Sequence, residues 1–192
     1  MFAVELEAIK KAQTKIAPYI RKTPLLPFEV FKSLNGKEVF LKCELFQRTG
    51  SFKIRGAANC ILNQLDKAKK NGVVAASAGN HAQGVAAVSH FLGVKATIVM
   101  PKSTPLIKVE NTRGWGADVL LHGEVFDECR DFANQLSQEK GLVFIHPFRD
   151  ELIIAGQGTV GLELAEAPEF MQSETSKELR VCPTMLRMSV FV

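Results

Sequence analysis

Val73-Val74-Ala75-Ala76-Ser77-Ala78-Gly79-Asn80-His81-Ala82-Gln83-Gly84 is the stretch whose reading decides the fold. Four apolar residues give way to a polar turn containing glycine. Ala82, Val85, Ala86, Val88 and Leu92 then recur at helical spacing, and Gly93 follows as a C-cap. A short, wholly apolar run is what a strand buried on both faces looks like, and parallel sheets need such strands. Three more runs resemble it: Ala96-Thr97-Ile98-Val99-Met100, Asp118-Val119-Leu120-Leu121 and Leu142-Val143-Phe144-Ile145. All four are expected to be strands with both faces covered.

The segments between them read as helices. Thr104 and Pro105 predict an N-cap and a first-turn proline, with Gly114 ending that helix. Val125, Cys129, Phe132 and Leu136 share one helical face before Gly141. Strand and helix in alternation predict an α/β fold with an open parallel sheet and helices on both faces. Upstream, Leu6, Ile9, Gln13 and Ile16 mark an N-terminal helix, and Thr23-Pro24-Leu25-Leu26-Pro27 an extended connector. Asn35-Gly36 signals a turn before a strand at Glu38-Val39-Phe40-Leu41-Lys42. Ile54, Ala58, Ile61 and Leu65 line one face of a helix that starts near Lys53.

Composition narrows the function classes. The 192 residues are 46% hydrophobic and 23% charged, which excludes a disordered chain. With 24 Lys+Arg against 20 Asp+Glu the net charge is +4, and basic residues never run beyond pairs. That argues against a nucleic-acid partner. Glu5, Glu7, Lys10 and Lys11 interrupt the N-terminus, so no signal peptide is expected, and no apolar window is long enough for a membrane span. Cys43, Cys60, Cys129 and Cys182 lack metal or disulfide-framework spacing. Reduced thiols in the cytoplasm are expected, with no metal site.

Two stretches carry chemistry. Thr49-Gly50-Ser51-Phe52-Lys53-Ile54-Arg55-Gly56-Ala57 passes from a strand into a helix. A lysine at a helix N-terminus sits in positive potential, which disfavours its ammonium form. A neutral amine is what Schiff-base formation with an aldehyde needs. Local physics leaves open the alternative that Lys53 is a solvated residue that merely begins a helix. The second stretch is Ser77-Ala78-Gly79-Asn80-His81. Here a helix N-terminus beyond a strand end suits a carboxylate or phosphate. The alternative is a loop in which Ser77 or Asn80 only caps its own helix. His81 reads as an acid or base, or as a hydrogen-bonded structural group.

Together the two stretches are more specific than either alone. Lys42-Cys43-Glu44-Leu45-Phe46-Gln47-Arg48-Thr49-Gly50-Ser51-Phe52-Lys53-Ile54-Arg55-Gly56-Ala57 resembles the pyridoxal-phosphate lysine motif of the threonine dehydratase and serine racemase family. Ser77-Ala78-Gly79-Asn80-His81-Ala82-Gln83-Gly84 resembles that family's asparagine loop. His146-Pro147-Phe148 and Ile154-Ala155-Gly156-Gln157-Gly158-Thr159-Val160-Gly161-Leu162-Glu163 follow in the family's order. The resemblance covers about residues 10 to 168. It implies a fold-type II pyridoxal-phosphate enzyme, similar to the tryptophan synthase β subunit. It also implies pyridoxal 5'-phosphate as cofactor and a small amino acid as substrate.

By the same resemblance Lys53 is the catalytic residue and holds the cofactor. Phe52 packs beside the pyridine ring, and Asn80 hydrogen-bonds the phenolic oxygen. Ser77, Ala78, Gly79, Asn80 and His81 bind the substrate carboxylate. The implied reaction is L-threonine or L-serine dehydration to 2-oxobutyrate or pyruvate plus ammonia. Serine racemases carry a serine at the position that matches Ala78. A methyl group cannot deliver a proton to the opposite face, so dehydratase is favoured over racemase. Homodimers or tetramers are common in such families.

The resemblance fades after about residue 168. All 14 glycines lie at or before Gly161. The family's glycine-rich phosphate loop is expected at about residues 180–190, where Leu179-Arg180-Val181-Cys182-Pro183-Thr184-Met185-Leu186-Arg187 stands instead. A frameshift, an alternative exon or a truncation accounts equally well for this tail. The expected organisation is a partial large domain from residues 1–62 and 151–192 and a small α/β domain at residues 63–150. Weak cofactor binding and impaired activity are expected. A non-catalytic remnant acting as a binding or dimerising module is the rival reading. A nucleotide-binding domain ranks below both, because no GxGxxG or GxxxxGK[ST] is present.

Overall fold

The computed structural model describes residues 4–28 and 39–167. Helix α1 (Leu6–Ile16) leads through a 3-10 turn to strand β1 (Leu25–Pro27), which pairs antiparallel with β2 (Phe40–Lys42). Then come α2 (Lys53–Asn63), α3 (Leu65–Asn71), β3 (Val73–Ala76), α4 (Asn80–Leu92) and β4 (Ala96–Met100). The chain continues through α5 (Leu106–Arg113), β5 (Asp118–Leu121), α6 (Phe126–Lys140), β6 (Val143–Phe144) and α7 (Glu151–Ala165). The Asn35-Gly36 turn and everything after Ala167 lie outside the described residues.

Strands β3 to β6 form a parallel sheet in the order β5-β4-β3-β6. The chain steps outward from β3 to β4 to β5. It then returns through α6 and lays β6 on the other side of β3. The direction reverses at β3, so a crevice opens beyond the carboxyl ends of β3 and β6. In open α/β sheets ligands bind at such a reversal.

Side-chain alternation along the strands explains the two cores. Val73 and Ala75 point to one face and pack with Ile54, Val85, Val88 and Ile98. Val74, Ala76 and Val99 point to the other and pack with Cys129, Ala133 and Leu136 of α6. Helix α4 ends as its sequence predicts. Gly93 takes a left-handed φ of 63°, and the Val94 N–H donates to Ser89 O at 2.9 Å.

Three expectations need correction. β5 is not covered on both faces: it is the edge of the sheet, and Leu120 and Leu121 are 38% and 46% exposed. An apolar run does not reveal whether a neighbouring strand or helix will cover it. β6 holds only Val143–Phe144, although the Ile145 N–H still donates to Val74 O at 2.8 Å. Helix α5 begins at Leu106 with Pro105 in the cap position, so Thr104 is not the cap. A residue before proline is held out of the helical region, and this places the Thr104 hydroxyl one residue too early.

Helix α2 is gripped from two sides by glycines. A Cβ on Gly84 of α4 would stand 3.1 Å from Ile54 N and 3.2 Å from Lys53 C. A Cβ on Gly156 of α7 would stand 2.6 Å from Arg55 O and 2.7 Å from Gly56 Cα. These are backbone atoms and cannot swing aside. Gly156→Ala is therefore expected to destabilise the fold by roughly 1–3 kcal/mol, the usual cost of overpacking. Urea denaturation of the variant measures it, and an unchanged midpoint would show that the helices separate freely.

Candidate active site

Lys53 is the first residue of α2, as its motif predicts. Gly50, at φ 72°, lets the chain turn between the 3-10 turn Glu44–Phe46 and this helix. The Lys53 side chain is half-buried, and its Nζ donates to Pro147 O at 3.1 Å. It also lies 5.3 Å from the centre of the buried Phe52 ring. Burial lowers the Lys53 pKa below the ordinary lysine value. Desolvation disfavours the charged form, so the amine is more available as a nucleophile. The hydroxyls of Thr49 and Ser51, just before it in the chain, are buried with no partner among the described residues.

The second motif stands against the first. Ser77 continues from β3, and its N–H donates to Val99 O at 3.0 Å. Its hydroxyl accepts the Gly79 N–H at 3.2 Å. Asn80 and His81 open α4, so the positive end of that helix faces the loop. A Cβ on Gly79 would meet nothing within 4 Å, so the loop borders open space. Gly84, one turn further, is the contact that presses α4 onto Lys53 and Ile54. The predicted residues Phe52, Lys53, Ser77, Ala78, Gly79, Asn80 and His81 thus gather at the crevice beside β3. The orphan hydroxyls, the lowered amine and the open loop fit an aldehyde-bearing anionic ligand at that end. Two other clefts, one including Arg113, Asp118 and Lys140 and the other Ser89, His90 and Trp115, lie at the opposite end of the strands.

His81 is only 3% exposed, and its Nε2 stands 3.0 Å from Ile145 O. Burial first, then the nearby Lys53 and His146, push its pKa down to about 4, against a raising effect from the Ile145 carbonyl. The folded state therefore holds this imidazole neutral where the unfolded chain would protonate it. Its contribution is complete above the ordinary value of 6.5 and is lost as the pH falls towards 4. The loss is expected to reach the order of 3 kcal/mol. Urea unfolding at pH 7 and at pH 4.5 checks this, and His81→Gln removes the group's share of the slope.

Sequence reasoning missed the group beneath the site. Arg55 is fully buried, yet it lies in the same helical turn as Lys53. Its Nε and Nη2 donate to the two carboxylate oxygens of Glu44, each at 2.8 Å. Its Nη1 and Nη2 donate to the two oxygens of Glu163 at 2.7 and 2.9 Å, and Nη1 reaches Thr159 Oγ1 at 3.1 Å. Lys42 Nζ stands 2.6 Å from Glu163, and the Thr23 hydroxyl donates to Glu44 at 2.6 Å. Two cations and two carboxylates close on one another. They join β2, the 3-10 turn, α2 and α7. Pro147 was also missed as a partner of Lys53, because a backbone carbonyl leaves no mark on residue type.

Among the described residues, no helix is long and apolar enough to cross a membrane. Among these same residues, no group of three or more His, Cys, Asp or Glu side chains is placed to hold a metal.

Comparison with known proteins fits this geometry. The chain is 49% identical to the L-threonine ammonia-lyase of Thermotoga maritima over 163 residues, which is 85% of this chain and 41% of that protein. Maize serine racemase superposes with a TM-score of 0.82 at 39% identity, covering 86% of this chain and 50% of that one. The T.th. threonine deaminase superposes with a TM-score of 0.79 at 45% identity, covering 88% and 53%. The chain thus spans about half the length of these relatives, and its fold is theirs, fold-type II. The model of one family, described as pyridoxal-phosphate dependent enzyme, matches residues 16–181. With this match, a half-buried lysine amine at the head of α2 and a helix N-terminus beside it, the chain belongs to the pyridoxal-phosphate dependent enzymes.

Proposed function

We propose that this site serves the dehydration of a β-hydroxy amino acid, L-threonine or L-serine, to 2-oxobutyrate or pyruvate and ammonia. The observation that carries the reading is the half-buried Lys53 amine, lowered by desolvation and set against the start of α4. Lys53 would hold pyridoxal phosphate, with Phe52 beside its ring and Asn80 at its phenolic oxygen. When bound, the cofactor supplies an electron sink for the charge left on Cα.

The chain's own residues do the rest. The backbone and hydroxyl of Ser77 to His81 receive the substrate carboxylate in the positive field of the helix terminus. This fixes Cα near Lys53. The freed Lys53 amine then takes the Cα proton, a role that desolvation favours by disfavouring its charged form. The β-hydroxyl departs as water, its proton coming from the Lys53 ammonium that the previous step formed, so the amine is regenerated. Hydrolysis of the remaining enamine gives the 2-oxo acid and ammonia.

A racemase reading is favoured by the high overlap with maize serine racemase. It needs a proton carrier on the second face, and at the position where serine racemases carry a serine Ala78 has only a methyl group. The residues at 180–190 contain no glycine with which to cradle a phosphate. Cofactor affinity and turnover are therefore expected to be low in this chain. We further propose the division into a small α/β domain at 63–150 and a partial large domain at 1–62 and 151–192.

Incubation with pyridoxal phosphate, borohydride reduction and peptide mapping tests the reading. The expected product is a pyridoxyl adduct on Lys53. Ammonia release from threonine or serine then supports dehydration. D-serine accumulation would favour racemisation, and a labelled Lys53 with no turnover would favour the binding remnant. An unlabelled Lys53 would overturn the proposal.

A further inference from the structure

The segment after β6 touches Lys53, and beyond Ile145, whose side chain is buried in the core and whose N–H donates to Val74 O, the sheet no longer holds it. β6 has two residues and pairs only with β3 among the described residues. The chain then leaves the sheet through Ile145, His146 and Pro147. Pro147 contributes the carbonyl that accepts the Lys53 ammonium or amine N–H. Two imidazoles secure this segment in opposite ways. His146 Nδ1 accepts the N–H groups of Phe148 and Arg149 at 3.1 and 2.7 Å, which folds the segment into a tight turn. His81, arriving from α4, meets Ile145 O through Nε2. A carbonyl oxygen can only accept, so Nε2 of His81 carries the hydrogen. Its Nδ1 is then a bare, buried acceptor, and it has no partner among the described residues.

We propose that His81 is a positioning residue for Lys53: its Nε2–H bond to Ile145 O fixes the turn at residues 145–149, and the Pro147 carbonyl of that turn holds the Lys53 amine in its buried place. This deepens the reading above and rests on Lys53 being the reactive amine. The charged or titratable groups that bear on His81 are Lys53 from α2 and His146 from the turn itself. Both disfavour a second proton on the ring, so the Nε2–H form persists across neutral pH. His81 thus acts through its shape and its donor. The amine is held in the crevice before any ligand arrives, with its desolvation maintained.

The test needs neither cofactor nor substrate. In the full chain, the pH dependence of Lys53 labelling by an amine reagent is followed by peptide mass spectrometry, with exposed lysines as internal standards. His81→Leu is expected to release the turn, let water reach Lys53 and move its labelling midpoint up by about one pH unit towards the ordinary value. His81→Gln, whose amide supplies a donor at similar reach, is expected to restore the midpoint. Backbone hydrogen exchange should rise at residues 145–149 in His81→Leu while β3 and β4 stay protected. A midpoint that does not move, a glutamine that does not restore it, or exchange that rises evenly along the chain would each overturn the proposal. If the leucine variant does not fold, nitrogen-15 spectra of the unaltered protein decide. An Nε2–H, bare-Nδ1 signal for His81 supports the arrangement, and an Nδ1–H signal refutes it. A failed pyridoxyl label with a confirmed Lys53 midpoint shift would sink the functional reading and leave this one standing.

Discussion

Lys53→Ala is expected to remove the pyridoxyl adduct from α2. Any release of 2-oxobutyrate that the chain sustains should fall by about 10²–10⁴-fold or more, the usual contribution of a positioned general base. No neighbour can replace the amine. Lys42, a buried lysine close to α2, is committed to Glu163 and to the Thr23 carbonyl. The fold itself should not suffer, because Lys53 gives up one bond to a backbone carbonyl and relieves the burial of an amine. Unfolding midpoints equal to or above those of the unaltered protein are therefore expected, as is common when a strained functional group is removed. Retained ammonia release in Lys53→Ala, with sound folding, would mean that the chemistry lies elsewhere.

Arg55→Leu is expected to have the largest effect on stability. The guanidinium answers two carboxylates at once, and all of its bonds are buried or nearly so. Without it, Glu163 keeps Lys42 while Glu44 keeps only the Thr23 hydroxyl among the described residues, and one largely buried negative charge stays uncompensated. Breaking a buried pair in this way costs about 3–5 kcal/mol. Folded domains commonly have only about 5–15 kcal/mol in total. Burial acts to raise the Glu163 carboxyl, but the hydrogen bonds and charges of Arg55 and Lys42 outweigh it and hold the pKa below 4.5. That part of the stability is present above pH 4.5 and is lost as the pH falls further. Urea unfolding of Arg55→Leu at pH 7 tests the magnitude. A loss under about 1 kcal/mol would place the group among weak, solvated ion pairs. Arg55→Leu combined with Glu163→Leu should recover part of the loss, since the orphaned charge goes with its partner.

The sequence showed some of this plainly and hid the rest for physical reasons. Lys53 and the Ser77–His81 loop were legible because strand, glycine turn and helix start leave local marks in residue type. The strands were legible as elements, but the exposure of β5 was not, since coverage depends on which strand lies beside it. Arg55 was hidden within a good helical pattern. Ile54, Ala58 and Ile61 mark the apolar face, and a cation between them reads as solvent-facing. Its partner Glu163 is 108 residues away along the chain. The contact from Lys53 to Pro147 spans 94 residues and ends on main chain. Long separation and a generic acceptor together defeat any local reading.

Glycines on two different helices press main chain against main chain at Lys53 and at Gly56. The start of α2 is thereby anchored through its main chain, while the amine itself is placed through Pro147 and, at the far end of the loop, His81. Residues 77–79 can change type without tugging on residue 53. A lineage built on this scaffold is thus free to retune which amino acids it accepts while keeping its chemistry intact.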